Sequence, residues 1–351
     1  MQVSGELGSN RSQQSVITWR GLEAKILLGV VICLMIWIVF LLLPNGPAHE
    51  TVVSIDSGMT SKEIAGLLTE ADLLQSPILF RIVTKLARVD NKLKAGTYRL
   101  NSGMGTVGIA RALARGDVEL IRFTIPEGVS IRDMADLLEG KGLASKERFL
   151  YLATGQDHDF KVIEGNMEFS DNLEGYLFPD TYTVETGITE EEIITIMVRR
   201  FVQAVLPEWS RENVDENARK LGLHGVITLA SIIEKEAKLS EERPLVASVF
   251  YNRLRLNMPL QSCATVQFAL GSWKTRLTLD DLETDSPYNT YITPALPPGP
   301  IASPGLSSVR AALAPATSDY LFFAADYKGG HVFSKTFREH QEAIAKVQVH
   351  D

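Results

Sequence analysis

Cysteine is nearly absent from this chain of 351 residues: Cys33 and Cys263 are the only two, and they lie far apart. A disulfide framework is therefore excluded as a source of stability, and no Cys/His spacing suggests zinc. Neither a metal nor another cofactor is expected. A basic excess is lacking too. The 35 Lys and Arg stand against 43 Asp and Glu, giving a formal net charge of -8, which argues against a nucleic-acid partner. Long apolar runs are missing except for one. With 45% hydrophobic and 22% charged residues, the remainder has the makeup of an ordinary globular chain, and its length suits two or three domains.

The exception is 26–43, ILLGVVICLMIWIVFLLL, which holds no charge and no strongly polar group. At about 1.5 Å per residue it nearly crosses a hydrocarbon core of roughly 30 Å. Arg11, Arg20 and Lys25 precede it, and no Lys or Arg follows until Lys62. That asymmetry predicts a cytoplasmic N-terminus, with everything after Pro44 outside. A cleaved signal peptide is the alternative, but its apolar core is usually shorter, and 44–50 offers no good small-x-small cleavage site. Residues 1–25 thus read as a polar tail, 26–43 as a transmembrane helix and 44–50 as a linker. So short a linker keeps the chain beyond it near the membrane surface.

A repeat comes next. Val53-Ser-Ile-Asp-Ser-Gly58 returns 70 positions later as Phe123-Thr-Ile-Pro-Glu-Gly128, and Ile64, Ala65, Leu67 and Leu68 match Met134, Ala135, Leu137 and Leu138. Each copy reads as a short strand, a glycine turn and an amphipathic helix, with Ser61 and Ser130 as candidate caps. Two copies are too few for a solenoid, so two small α/β subdomains are expected within 51–165. Between them, Lys94–Leu100 alternates like a strand, and 107–115 reads as a helix. A strand-helix unit with a glycine turn, placed outside the membrane, resembles the LysM modules that bind cell-wall glycan. A spacer that sets height above the membrane would look the same.

From 166 onward the texture changes. Asp171-Asn-Leu-Glu-Gly-Tyr-Leu-Phe-Pro-Asp-Thr-Tyr182 gathers acids, aromatics, Gly and Pro in one irregular stretch. Helices are predicted over 189–209, 244–256 and 308–313, and a hairpin joins 320–325 to 331–334 through Gly329-Gly330. Long proline-rich loops, 258–265, 286–291 and 296–305, separate them. Loops of that kind in a compact domain are usually functional or disordered. The whole reads as α+β: a transmembrane helix, a LysM-like α/β repeat region and a mixed catalytic domain over 166–351.

The chemistry centres on Leu229-Ala-Ser-Ile-Ile-Glu-Lys-Glu236. On a helix, Leu229, Ile232 and Ile233 share one face with Glu236, whereas Glu234 falls on the other side with Lys238 as its i+4 partner. A carboxyl pressed into an apolar wall loses solvation and its pKa rises. Such an acid suits the proton donation that glycosidic cleavage requires. The same pattern would arise if Glu236 were paired with a buried arginine, or if a rotated helix left both glutamates solvated.

Several motifs together resemble the MltG/YceG-like family: Leu-Glu-Gly-Tyr-Leu-Phe-Pro-Asp-Thr-Tyr at 173–182, Ala-Ser-Ile-Ile-Glu-Lys-Glu at 230–236, and Val-Ala-Ser-Val-Phe-Tyr-Asn-Arg-Leu at 246–254. Tyr-Asn-Thr-Tyr at 288–291 and the proline-rich run at 296–305 continue the match. The resemblance implies an endolytic murein transglycosylase, anchored by a single span in the bacterial inner membrane and acting outside the cytoplasm. It implies Glu236 as the catalytic residue, nascent peptidoglycan strands as substrate, and peptidoglycan synthases as possible partners. Gln261, Tyr288, Asn289, Tyr291 and Ser303 are the candidate substrate-binding residues, although each could instead hold its own loop. His331 and His340 are expected to be structural, and Glu174 and Asp180 to be caps or ion partners. Where the family often carries Asp-Pro, this chain has Cys263-Ala264. That departure weakens any scheme needing a second carboxylate there and makes Cys263 a small packing residue. A non-catalytic cell-wall scaffold and a true hydrolase are the competing readings.

Overall fold

The computed structural model describes residues 14–42, 48–155, 161–164, 167–169, 172–326 and 329–348. Most of the tail (1–13), Leu43, the linker residues 44–47 and Asp171 lie outside them. Small two-stranded sheets scattered among helices make the protein α+β. It divides into two compact units, Met1–Ile121 with Val184–Gly187, and Arg122–Thr183 with Ile188–Asp351.

The smaller unit begins with helix α1 (Gln14–Leu42). Its described side chains, 24–37 and 39, are exposed. Among the described residues no helix is long and apolar enough to cross a membrane. Then come β1 (Glu50–Ile55), α2 (Ser61–Glu70), α3 (Pro77–Leu86), β2 (Gly96–Asn101) and α4 (Gly105–Arg115). β1 and β2 pair antiparallel, from Glu50 opposite Asn101 to Ile55 opposite Gly96. Alternation sends Val53, Ile55, Tyr98 and Leu100 inward, onto Ile64, Leu68, Phe80, Ile109 and Leu113. α2 is capped by Thr60 rather than by the expected Ser61. The Thr60 hydroxyl accepts from the Glu63 N–H, and the Glu63 carboxylate accepts from the Thr60 N–H at 2.7 Å.

Strand β3 (Leu120–Thr124) is followed in the larger unit by α5 (Ile131–Gly140), α6 (Lys146–Ala153), β4 (Val162–Glu164), β5 (Met167–Phe169) and β6 (Thr181–Glu185). β3 pairs with β6. The second repeat copy takes the expected strand–turn–helix form, with Ser130 as cap. The expected boundary at 165/166 nevertheless runs through this unit, because the copy is laced into the chain on the far side of that boundary. The Ile125 N–H donates to Asp180 O at 2.9 Å, the Gly128 N–H to Ser303 O at 2.8 Å, and the Phe123 and Tyr182 rings stack 5.4 Å apart.

The unit continues through α7 (Glu190–Trp209), α8 (Glu216–Glu236), α9 (Arg243–Arg255), α10 (Cys263–Leu270), α11 (Leu279–Leu282) and α12 (Leu306–Leu313). A hairpin, β7 (Phe322–Ala325) and β8 (His331–Ser334), then α13 (Phe337–Gln348), complete it. α8 starts on Asp215, whose carboxylate accepts from the Asn217 N–H, and is broken at Gly222 (φ 72°, ψ 171°). Beyond the break, residues 226–233 are buried on every side, packed by α9, α10 and α12. Over 226–233, α8 is therefore a central helix without a solvated face, not the amphipathic helix the glutamate pattern suggests.

The proline-rich loop over 296–305 is ordered for a specific reason: α8 satisfies its backbone. His224 meets Pro298 O at 2.8 Å, the Ser231 hydroxyl accepts from the Ile301 N–H at 3.0 Å, and Glu234 accepts from the Gly305 N–H at 2.9 Å. Gly175 makes the opposite wall fit. It sits at φ +83°, and a Cβ there would stand 2.5 Å from Pro300 Cβ, a position only glycine tolerates.

Candidate active site

α8 ends at Glu236. Ala237 turns extended (φ −95°, ψ 107°), so Lys238 lies beyond the helix and cannot act as an i+4 partner of Glu234. Glu234 is buried instead. Its carboxylate receives the Arg243 guanidinium at 2.8 Å and the Gly305 N–H, with both side chains less than one-tenth exposed. The expectation that Glu234 is a surface residue is thus corrected: with α8 enclosed, a carboxylate on its far side needs a cation, and α9 supplies one.

Glu236 has no such cation at hydrogen-bond distance. Its carboxylate accepts from the Ser262 hydroxyl at 2.5 Å and from the Ala264 N–H. Burial raises its pKa; the two hydrogen bonds and the nearby His331 oppose the rise without reversing it. The C-terminal end of a helix carries partial negative charge, which also disfavours the carboxylate. Glu236 keeps partial exposure and lines a cavity of about 390 Å3. Among the described residues lining that cavity, Glu236 is the only carboxylic acid.

Of the five candidate binding residues, the structure brings two to Glu236. Gln261 and Tyr291 line the same cavity. Gln261 is held at φ 51° with its N–H donating to Thr290 O at 2.9 Å. Burial pushes the Tyr291 phenol well above its ordinary value, with Cys263 at 3.1 Å and the nearby Glu236 adding to it. Tyr288 is placed elsewhere, its ring centroid 4.9 Å from Phe268. Asn289 is fully buried. Its amide donates to Leu282 O and Thr284 O, and its carbonyl accepts from the Tyr291 N–H at 3.0 Å, so it braces the loop that presents Tyr291. Ser303 is also fully buried, its backbone joined to Gly128 and Val129 and its hydroxyl without a partner.

Several residues of the cavity were not legible as such. Cys263 is exposed there rather than packed. His331 and His340, expected to be structural, both line the cavity. Glu242 accepts from the His331 N–H at 3.0 Å and holds its Nδ1 at 2.7 Å, leaving Nε2 as the ring's other polar atom. Burial and Arg253 hold the His340 pKa down. Arg253 itself is buried in the wall with no carboxylate partner among the described residues. It donates to Leu321 O, Pro259 O and Leu260 O, and burial lowers its pKa. Glu174 and Asp180 match the caps and ion partners expected. Glu174 accepts from the first N–H of α5, and Asp180 pairs with Arg200 at 2.6 Å. Among the described residues no group of His, Cys, Asp and Glu could hold a metal ion.

Fold and site together define an α+β protein with one desolvated acid, tied to a serine hydroxyl, at the mouth of a polar aromatic cavity. It belongs to the YceG-like family, whose model matches residues 53–346. The chain is 37% identical over 309 residues to a Bacillus subtilis protein named endolytic murein transglycosylase, covering 84% of each. A Streptococcus pneumoniae protein of the same name is 31% identical over 330 residues, spanning 86% of this chain and 59% of the relative. Among solved structures, a YceG-like protein from Listeria monocytogenes matches with a TM-score of 0.54 at 35% identity, covering 84% of this chain and 99% of that one.

Proposed function

We propose that this chain is an endolytic peptidoglycan transglycosylase that cleaves the MurNAc–GlcNAc bond of nascent strands with Glu236 as its one acid and base. The observation that carries the reading is the isolation of Glu236: a desolvated acid with a raised pKa and no second carboxylic acid in its cavity. A glycoside hydrolase normally needs two carboxylates, whereas an intramolecular transfer needs one. Protonated Glu236 donates to the leaving O4 of GlcNAc as the C1–O4 bond of MurNAc breaks. The MurNAc C6 oxygen then bonds to C1, and its proton passes to the Glu236 carboxylate, restoring the acid. The product is a 1,6-anhydroMurNAc end, with no water consumed.

The oxocarbenium-like state between these steps is stabilised by the carboxylate just formed and by dipoles fixed around it. Gln261 and Tyr291 are placed to supply them. Asn289 and Ser303 act by holding the loops, and Tyr288 by packing on Phe268. The βααβ order of β1, α2, α3 and β2 supports a LysM-like, glycan-facing role for the smaller unit. The apolar, exposed face of α1 and the placing of Arg20 and Lys25 support a single-pass anchor over 26–43, with the N-terminus cytoplasmic. Such an anchor holds the chain at the membrane, where peptidoglycan synthases are its expected partners.

Digestion of purified murein by the full chain in detergent, followed by mass spectrometry of the fragments, tests the reading. Anhydro-muropeptides are expected. Reducing MurNAc ends would make the protein a hydrolase, and no cleavage would leave a cell-wall scaffold.

A further inference from the structure

Ala264, whose N–H serves Glu236, lines a second cavity of about 480 Å3 within the same unit. Lys235, the chain neighbour of Glu236, lines the second as well. Chain neighbours thus line the two cavities, Glu236 and Cys263 the first and Lys235 and Ala264 the second, which places both at the last turn of α8. That volume lies in the range of small-ligand sites, roughly 300–1,000 Å3.

The walls carry a particular chemistry. Trp273 is 70% exposed, unusual for an indole without a partner surface. The Lys235 ammonium stands 5.1 Å from its ring centroid and donates to Gly128 O at 3.1 Å. Arg132 is fixed by donating to Gly271 O at 2.6 Å. Neither cation forms an ion pair with a carboxylate at short range among the described residues. The two acids of the wall are engaged elsewhere. Asp133 accepts from the Ser130 N–H and hydroxyl, and Glu174, buried, accepts from the Ile131 N–H with both oxygens. Burial pushes Glu174 up to about 8, so near neutrality it is largely uncharged and does not cancel the cations. An aromatic plate beside two cations that no carboxylate pairs directly suits a sugar that carries an anion.

We infer that this cavity is a subsite for a peptide-bearing MurNAc of the same strand: the sugar stacks on Trp273, and a stem-peptide carboxylate meets Lys235 and Arg132. The inference rests on the transglycosylase reading for its substrate and adds a preference that Glu236 alone does not impose. Strands with stem peptides bind better than bare ones.

The test uses the full chain in detergent and two substrates: glycan strands with stem peptides, and the same strands stripped by an amidase. Wild type should cleave the peptide-bearing strands about tenfold better in kcat/KM, the worth of a charge-assisted hydrogen bond. Lys235→Met and Arg132→Met, both at exposed positions, should each erase most of that preference by raising KM, with kcat and the stripped-strand rate near wild type. Equal cleavage of both substrates by wild type, or equal losses on both in these two variants, would overturn the subsite. Absence of any cleavage would instead overturn the transglycosylase reading, and a binding arm then decides the subsite alone. Muramyl tripeptide titrated into the Glu236→Gln chain should quench tryptophan fluorescence, and Trp273→Phe should abolish the quench. A titration without quench, or one unchanged by Trp273→Phe, refutes the inference.

Discussion

Glu174 sets up a pH-dependent cost of folding that one substitution should remove. Its side chain is buried with no cation bonded to it, and burial lifts its pKa from 4.5 to about 8. Below about pH 4.5 the folded and unfolded chains both hold the proton, and Glu174 contributes no pH dependence. Between that point and about pH 8 the unfolded chain ionises while the folded one keeps its proton. Stability then falls with rising pH by about 1.4 kcal/mol per unit. The full window amounts to roughly 4–5 kcal/mol and levels off above the folded pKa. Glu174→Gln keeps an acceptor for the Ile131 N–H but has nothing to ionise. Urea denaturation of both proteins at a series of pH values is the assay, and taking the difference cancels every other titrating group. The variant should gain on wild type by about 3 kcal/mol between pH 5 and 7. A difference that stays flat would mean that Glu174 is ionised in the fold, stabilised by the Ile131 N–H and Arg132 more than burial opposes it. Glu174 would then add a negative charge to the wall of the second cavity.

Two further substitutions probe the frame around Glu236. Glu234→Gln leaves Arg243 buried with only Glu127, 4.0 Å away, as a remaining carboxylate. It should cost about 3 kcal/mol in urea denaturation, while the folded molecules still cleave murein; unchanged stability would deny the buried pair. Gly175→Ala forces a left-handed residue to carry a Cβ against Pro300. It should destabilise by about 3 kcal/mol or more, read as a lower denaturation midpoint, and a neutral result would show that the loop can move aside.

How much of this was readable in advance depended on how local the cause was. The repeat declared itself because strand, turn and helix each follow from neighbouring residues, and the copies at Gly58 and Gly128 fold as expected. Leu229, Ile232 and Ile233 are buried, and burial raises the Glu236 pKa, the direction that stripe implies. The stripe misled about Glu234 because it presumed a solvated side, and nothing within one helix reveals that α9, α10 and α12 enclose it. The partners that separate the two glutamates are Arg243, Gly305, Ser262 and Ala264, brought in from three other segments. The 286–291 loop had the composition of a binding loop. Only tertiary structure shows that Asn289 faces inward to brace it while Tyr291 faces the cavity. His331 and His340 likewise gave no periodic signal, since a hairpin and a terminal helix carry them to Glu236.

The central claim is that the Glu236 carboxyl alone moves the proton. Its most direct test is the yield of anhydro-muropeptides from purified murein digested by wild type, Glu236→Gln and Glu234→Gln, compared at equal folded concentration. The account predicts anhydro ends from wild type and Glu234→Gln, and none above background from Glu236→Gln. Anhydro ends released by Glu236→Gln at a rate near that of wild type would contradict it.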